Sequence, residues 1–301
     1  MKIFYHADAD GKCSAFIVKY YAKIDMNTNL EFIEMDYDKR FPIELVSKDE
    51  PVYIVDFSIN PDEMRNLLTI TENVTWIDHH ITAIEKYKDF ERKIRGVRID
   101  GIAGCMLTYI YLRYMTRGSN GDISEFKYTM VDNFIPSCVD FISQWDLHKF
   151  KDEKRARCFM LGFNARDFGP NSREWYKILE FNGNGIIDEL IHEGEIMLKY
   201  RDSWAKTYMD KFGYETIFEG KKCLVINLGY CNSDFFKSID REKYDVVITH
   251  AFNGELNIVR MYSVKADVSQ IAKKYGGGGH IHAAGFQCEN LPFEKLRTVN
   301  K

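Results

Sequence analysis

The sequence is short of several things, and each shortage excludes a class of protein. Its seven cysteines are odd in number and form no C-x-x-C pair, so neither a disulfide framework nor a zinc-ribbon spacing is present. Proline is scarce, at six residues, and no internal repeat or low-complexity segment occurs, which excludes a proline-rich linker or a solenoid. There is no apolar run of membrane-spanning length. Excess positive charge is also missing. A net charge of -4 does not suit the broad basic face that grips long nucleic acid, although a short phosphate-bearing substrate can still be held locally through metal ions. Met1-Lys2-Ile3-Phe4 reads as the start of a strand rather than a signal peptide. The expectation is a soluble, cytoplasmic, reduced protein.

What is present is ordinary globular material: 301 residues, 45% hydrophobic and 29% charged, enough for two domains with cores of their own. Short apolar runs alternate with helical patterns in the first half. Ile3 to Tyr5, Leu30 to Met35, Val52 to Val55 and Val74 to Ile77 read as strands. The last two are continuously apolar, as strands buried on both faces are. Asn60-Pro61-Asp62-Glu63 is a helix start, with Asn as the cap and Pro in the first turn. This alternation predicts right-handed βαβ units and a mostly parallel sheet flanked by helices. Further helices are expected over Ile81 to Arg95, Met106 to Met115 and Val131 to Gln144, with a surface loop at Gly118 to Asp122. Lys151 to Arg157 reads as a solvated connector. A long amphipathic helix from Ile187 to Phe212 reads as a bridge to a second, β-rich unit beginning near Thr216. The resulting division is 1–155, a helical linker over 156–214, and a smaller α/β domain over 215–301.

Trp76-Ile77-Asp78-His79-His80 puts one carboxylate and two imidazoles at the carboxyl end of a strand, where ligands bind in open α/β sheets. Alone, it also suits two solvated histidines in a turn. Other strand ends answer it: His6, Asp8 and Asp10 follow the first strand, and Asp56 follows the third. Parallel strands bring such ends to one rim. If extended, His-x-Asp-x-Asp points its three side chains to one side. Taken singly, Asp8 or Asp10 would serve equally well as a helix cap, and Asp56 as a turn residue. Jointly, so many carboxylates repel one another unless cations sit among them. The donor set favours Mn²⁺ over Mg²⁺ and makes Zn²⁺ the weaker choice. It is large enough for two ions sharing a carboxylate, an arrangement that activates water for attack at phosphorus. Gly276-Gly277-Gly278-Gly279-His280 lets backbone N–H groups approach an anion, and the apolar Ala283 to Phe286 behind it argues against a plain linker. His148, His192, His250 and His282 lack such company and read as structural.

His6-Ala-Asp-Ala-Asp-Gly, Asp56, Asp78-His79-His80 and Gly-Gly-Gly-Gly-His-Ile-His-Ala-Ala-Gly-Phe, in that order, resemble the DHH/DHHA1 phosphoesterase superfamily. The layout is most similar to its oligoribonuclease (nanoRNase) branch, a relative of RecJ-like exonucleases. The resemblance implies a DHH domain followed by a DHHA1 domain. It implies a manganese enzyme acting on short single-stranded oligonucleotides, linear dinucleotides or 3′-phosphoadenosine 5′-phosphate. A pyrophosphatase is disfavoured, because that branch lacks the glycine loop. On this resemblance His6, Asp8 and Asp56 hold one ion, and Asp10, Asp56 and His79 the other. His80 faces the phosphate, and Asp78 orients an imidazole from behind. A further aspartate is required; Trp145-Asp146-Leu147-His148 points to Asp146, with Asp140 as rival. Gly278, Gly279 and His280 match the substrate loop. Tyr262 stands where many relatives have a phosphate-gripping Arg, and Arg260, two residues away on the same strand face, is the candidate substitute. Membrane association is not expected, and a homodimer is left open, as are RNA against DNA and the polarity of cleavage.

Overall fold

The computed structural model describes residues 1–21, 29–37, 39–116, 135–180, 184–229, 231, 233–236 and 242–293. The loop expected at Gly118 to Asp122 and the first residues of the helix expected from Val131 lie outside them. The chain divides into two compact units, Met1–Ile196 and Met197–Lys301.

The first unit opens with β1 (Lys2–His6), α1 (Ala9–Tyr21), β2 (Glu31–Met35), β3 (Val52–Val55), α2 (Pro61–Ile70) and β4 (Val74–Ile77). The strands form one parallel sheet in the order β2-β1-β3-β4. All four residues of β4 are buried, as the unbroken apolar run requires. Tyr5 pairs with Val55, and Val55 with Ile77, so the residues that follow (His6, Asp56 and Asp78) end up side by side on one rim. Helix α2 begins where Asn60 N donates to Glu63 Oε2 at 3.0 Å. Its Met64, Leu67 and Leu68 pack into a core with Phe4, Ile54 and Trp76. A capping arrangement of this kind contributes about 1 kcal/mol, and the buried side chains contribute about 1.5–3 kcal/mol each.

The helix expected over Ile81 to Arg95 is only α3 (Ile81–Lys86). Beyond it the chain runs along the outer side of β4. Trp76 N donates to Arg95 O at 2.8 Å, Asp78 N to Val97 O at 3.1 Å, and Ile99 N to Asp78 O at 3.2 Å. β4 is the sheet edge, and buried N–H groups there need partners, a demand that overrides the local helical pattern. Helices α4 (Gly104–Thr116), α5 (Ser137–Asp146), α6 (Glu153–Ala165), α7 (Glu174–Glu180) and α8 (Asn184–Phe212) follow. The charge run at Lys151 to Arg157 is not a connector. Asp152 Oδ1 accepts from Arg155 N at 3.0 Å and starts α6, whose Ala156, Cys158 and Phe159 are buried. The charges of Glu153 and Arg157 pair along the exposed face at 2.8 Å.

The boundary between the units falls within α8. The second unit holds β5 (Tyr214–Phe218), β6 (Lys221–Asn227), β7 (Val246–Phe252), β8 (Asn257–Tyr262), α9 (Val268–Lys274), β9 (Gly278–His280) and β10 (Ala283–Cys288). Its sheet runs β5-β6-β7-β8-β10-β9, with β6 and β7 parallel and the other pairs antiparallel. Val225, Ile248, Met261, Val268 and Phe286 form its core. The end of the glycine run is thus an edge strand. Gly279 has φ 137°, and a Cβ there would lie 2.6 Å from Ala283 O, so no other residue fits the hairpin. No described helix is long and apolar enough to cross a membrane.

Candidate metal centre

The rim of the first sheet gathers the acidic and imidazole side chains. His6 ends β1. Asp8 caps α1, its Oδ1 accepting from Gly11 N at 2.9 Å, while its Oδ2 lies 2.9 Å from His6 Nδ1. Asp10 lies in the first turn of α1 and reaches across to α4, accepting from Gly104 N at 2.7 Å and Cys105 N at 2.6 Å. The extended His-x-Asp-x-Asp expected from alternation is therefore not what forms. The helix begins at Ala9, and the three side chains come to the rim as a strand end, a cap and a first-turn residue. Capping and ligand geometry coexist here, because a carboxylate that accepts N–H bonds keeps lone pairs for a cation.

Asp56 is buried and adopts φ 51°, the left-handed region that costs a non-glycine residue strain. Its two oxygens face different partners: Oδ1 lies 3.2 Å from His79 Nε2, and Oδ2 lies 3.9 Å from His6 Nδ1. Gly104 makes this approach possible. A Cβ at Gly104 would sit 2.7 Å from Asp56 Cβ and 2.8 Å from its Oδ1. Gly104 stands just ahead of the apolar run that starts at Met106, and nothing in that position signals the contact with Asp56. His79 Nε2 is also 3.7 Å from Asp10 Oδ2 and 3.5 Å from Asp146 Oδ2. Donor atoms of His6, Asp8 and Asp56 lie within 4.8 Å of one another, as do those of Asp10, His79 and Asp146, and those of Asp56, His79 and His80.

Of the two aspartates left open by the sequence, the structure brings Asp146 to His79. Asp140 instead binds Lys151 Nζ at 2.8 and 3.0 Å and Gln144 Nε2 at 2.9 Å. Asp78 is fully buried; its Oδ1 accepts from His79 N at 2.8 Å and lies 2.7 Å from His80 Nδ1. Holding Nδ1 fixes the His80 ring and leaves Nε2 for a ligand. Tyr37 is a residue the sequence reading missed. Its half-exposed ring lies 5.7 Å from the His6 ring and 5.9 Å from the His80 ring, against Phe57. Burial and the Asp78 carboxylate push its phenol up to about 12.

The electrostatics are those of an acidic site that needs cations. Burial, then Asp10 and Asp8, hold the Asp56 carboxyl well above the usual carboxylate range. Burial and the same two aspartates push Asp146 to about 7. Burial would also raise Asp8, but the His6 imidazole and the Gly11 amide outweigh it and hold its carboxyl low. His79 is lowered by burial, which keeps its lone pair available, whereas hydrogen bonds to Asp8 and Asp78 raise His6 and His80 respectively. Among the described residues, both oxygens of Asp56, Asp146 Oδ2 and His79 Nε2 are buried without a hydrogen-bond partner. Such atoms are costly unless something satisfies them. Hard oxygens with two imidazole nitrogens fit divalent ions of the Mn²⁺ and Mg²⁺ kind. His6, Asp8 and Asp56 could hold one ion, and Asp10, Asp56, His79 and Asp146 a second.

In the second unit, Gly276 to Gly279, Arg260 and Tyr262 line a concavity of about 630 Å³. Arg260 Nη1 donates to Gly229 O at 2.6 Å, and Tyr262 Oη to Cys231 O at 2.8 Å. His280 is exposed on β9. His282 Nδ1 lies 3.1 Å from Ser263 O, and His148 borders a cavity of the first unit.

No family model matches the chain. Protein R106 of Acanthamoeba polyphaga mimivirus, an uncharacterised protein, is 24% identical over 322 residues, covering 98% of this chain and 70% of that protein. Among solved structures, the pGpG-specific phosphodiesterase PggH of Vibrio cholerae has a TM-score of 0.50 at 13% identity, covering 96% of this chain and 93% of that one. The DHH domain of a member of a ribosomal-protein family has a TM-score of 0.48 at 14% identity, covering 96% and 82%. A likeness at 13% identity is one of fold. The chain thus shares the fold of that phosphodiesterase, and it carries the Asp-His-His motif on its first unit and the Gly-Gly-Gly-His motif on its second.

Proposed function

We propose that this chain is a divalent-metal phosphodiesterase that shortens single-stranded oligonucleotides of a few residues, with two Mn²⁺ as the ions and Mg²⁺ as the alternative. The observation that carries the reading is the Asp56 carboxylate, buried, without a hydrogen-bond partner among the described residues, and facing two donor sets through different oxygens. Bound there, a pair of ions supplies an activated water and neutralises charge on the phosphate oxygens. The protein's own part is positional. Asp56 is shared by both sets. His79 stays neutral through burial. Asp78 holds His80 Nδ1, so that His80 Nε2 presents a donor to a phosphate oxygen. The net charge of -4 suits short substrates better than long DNA.

A second reading keeps the chemistry and makes the substrate a linear dinucleotide or a mononucleotide bisphosphate such as 3′-phosphoadenosine 5′-phosphate. The shared fold with a pGpG-specific phosphodiesterase favours the dinucleotide form of it. A nucleotide-binding regulator without turnover ranks lower, since the donor set has no gap. The deciding experiment is a timed digest of end-labelled RNA and DNA oligomers, from two to about twenty nucleotides, with and without Mn²⁺. Metal-dependent loss of single nucleotides from the shortest oligomers is expected. Binding without any product would support the regulator instead.

Two further results are expected. In the metal-free protein, Asp56 and Asp146 titrate above their unfolded values, so both stabilise the fold at low pH and lose that contribution as they ionise, Asp146 as pH rises through about 7. Ions reverse the loss. Mn²⁺ should therefore raise the unfolding temperature more at about pH 8 than at about pH 5, by differential scanning fluorimetry. An equal or larger increment at the lower pH would contradict the site. The other result concerns the glycine loop, which would hold the part of the substrate that does not react. Contacts remote from the reacting bond affect turnover through positioning. His280→Ala should cut kcat/KM for a dinucleotide about ten-fold more than for the small ester bis-p-nitrophenyl phosphate. Equal losses would place His280 in the chemistry.

A further inference from the structure

The first unit carries a cavity of about 300 Å³ on the outer side of β4, between Trp76 and the segment from Ile84 to Arg98. None of the candidate metal ligands lines it. Its charge is of one sign. Lys88, Arg92, Lys93 and Arg98 border it, and no carboxylate among the described residues does, in a chain whose net charge is -4. The acids close by are engaged on other sides: Glu72 accepts from Arg92 Nη2 at 2.6 Å, and Glu91 accepts from Arg65 at 2.7 and 3.1 Å. Lys88 and Lys93 are exposed and have no ion-pair partner among the described residues. Cations gathered without countercharges repel one another, and an anion between them removes that repulsion.

Arg98 strengthens the case, because it is half-buried and still lacks a carboxylate. Its guanidinium lies 5.2 Å from the centre of the Trp76 ring. It donates only to backbone carbonyls: Nη1 to Trp76 O at 3.1 Å and Arg95 O at 3.3 Å, and Nη2 to Ile94 O at 3.2 Å. A guanidinium has five N–H donors, so Nε and one N–H of Nη2 are left over. Burial pulls the group below its usual range. A charge taken partly out of water is costly, and a charge-assisted hydrogen bond to an anion offsets that cost. The volume decides the size of the anion. About 300 Å³ is at the lower end of small-molecule sites, which suits one compact, multiply charged group rather than an extended polyanion. Tyr87 and Phe90, their rings 5.0 Å apart, add an apolar border against which an organic group attached to the anion can lie.

We propose that this cavity is a binding site for a compact phosphate anion with two or more negative charges, held by Lys88, Lys93 and Arg98. The site is separate from the metal centre and does not depend on the phosphodiesterase reading. The test is isothermal titration of the full-length, metal-free protein in EDTA with inorganic phosphate, pyrophosphate and adenosine 5′-diphosphate. Without ions the carboxylates of the metal centre repel anions, so binding reports on other surfaces. Arg98 also holds three carbonyls, so the informative variant is Lys88→Ser with Lys93→Ser, which removes two exposed charges and leaves those contacts in place. Its unfolding temperature should match the parent's. Pyrophosphate should bind more tightly than phosphate, and the double variant should weaken pyrophosphate about ten-fold, with the difference shrinking as salt rises. Adenosine 5′-diphosphate that binds more tightly than pyrophosphate, and is weakened alike, makes a nucleotide the source of the phosphate; the reverse order makes it an inorganic anion. Equal affinities in parent and double variant overturn the inference, as does no binding at about 1 mM of any of the three. So does a loss in Arg260→Ala with none in the double variant, which would place the anion on the second unit.

Discussion

Asp56→Asn is expected to lower turnover by about a thousand-fold or more and, in the metal-free protein, to raise the unfolding temperature. The two effects share one cause. Asp56 is buried among Asp8, Asp10 and Asp146, where its charge is repelled unless ions lie between them. Two like charges about 4 Å apart cost about 4 kcal/mol even at an effective dielectric of 20. Asn keeps the shape and removes the charge, so the metal-free fold should gain about 2–4 °C for each kcal/mol of repulsion relieved. It also tolerates the left-handed backbone at φ 51°, which Ala does not, so Asp56→Ala should lose the same turnover with a smaller thermal gain. Mn²⁺ should then raise the unfolding temperature of either variant far less than that of the parent. Near-normal turnover at saturating Mn²⁺ would rule out Asp56 as a shared ligand.

The second large effect separates the two aspartates of α5. Asp146→Asn should reduce turnover by at least about a hundred-fold, more than is usual for groups that merely support ligands. Its Oδ2 is buried beside His79 Nε2, at 3.5 Å, without a hydrogen-bond partner among the described residues. Asp140→Asn should leave turnover within about three-fold and stability within about 1 kcal/mol, because its pairing with the exposed Lys151 is a solvent-screened contact. Rates for both variants with a dinucleotide substrate decide it. The opposite ranking would transfer the assignment to Asp140 and imply a different orientation of α5.

How much of this was legible beforehand varies with the physics of each stretch. The parallel sheet was readable because Val52 to Val55 and Val74 to Ile77 are continuously apolar, a pattern that burial on both faces imposes locally. The stretch after Lys86 was misread, because its partner is the open edge of β4, and an edge that needs hydrogen bonds leaves no mark on the segment that supplies them. Lys151 to Arg157 was misread for the opposite reason. Its exposed face dominates the composition, and only Ala156 and the residues after it reveal the buried side.

For the candidate site, the sequence by itself determined which donors are available and that they stand at strand ends: His6, Asp8, Asp10, Asp56, Asp78, His79 and His80. Chain order and strand polarity are local properties, and parallel strands oblige such ends to share a rim. Only the tertiary structure decided how they divide. It made Asp8 the cap of α1 and Asp10 an acceptor for the N-terminus of α4, 94 residues away for the Gly104 amide. It set Asp146 rather than Asp140 beside His79, and brought Gly104 against Asp56 where no side chain could fit. It also occupied one guanidinium nitrogen of Arg260 with the Gly229 carbonyl, a contact the strand-face argument had no means of including. These are contacts between elements distant in sequence. They depend on how helices pack over the sheet, and packing is a property of the assembled core rather than of any single segment.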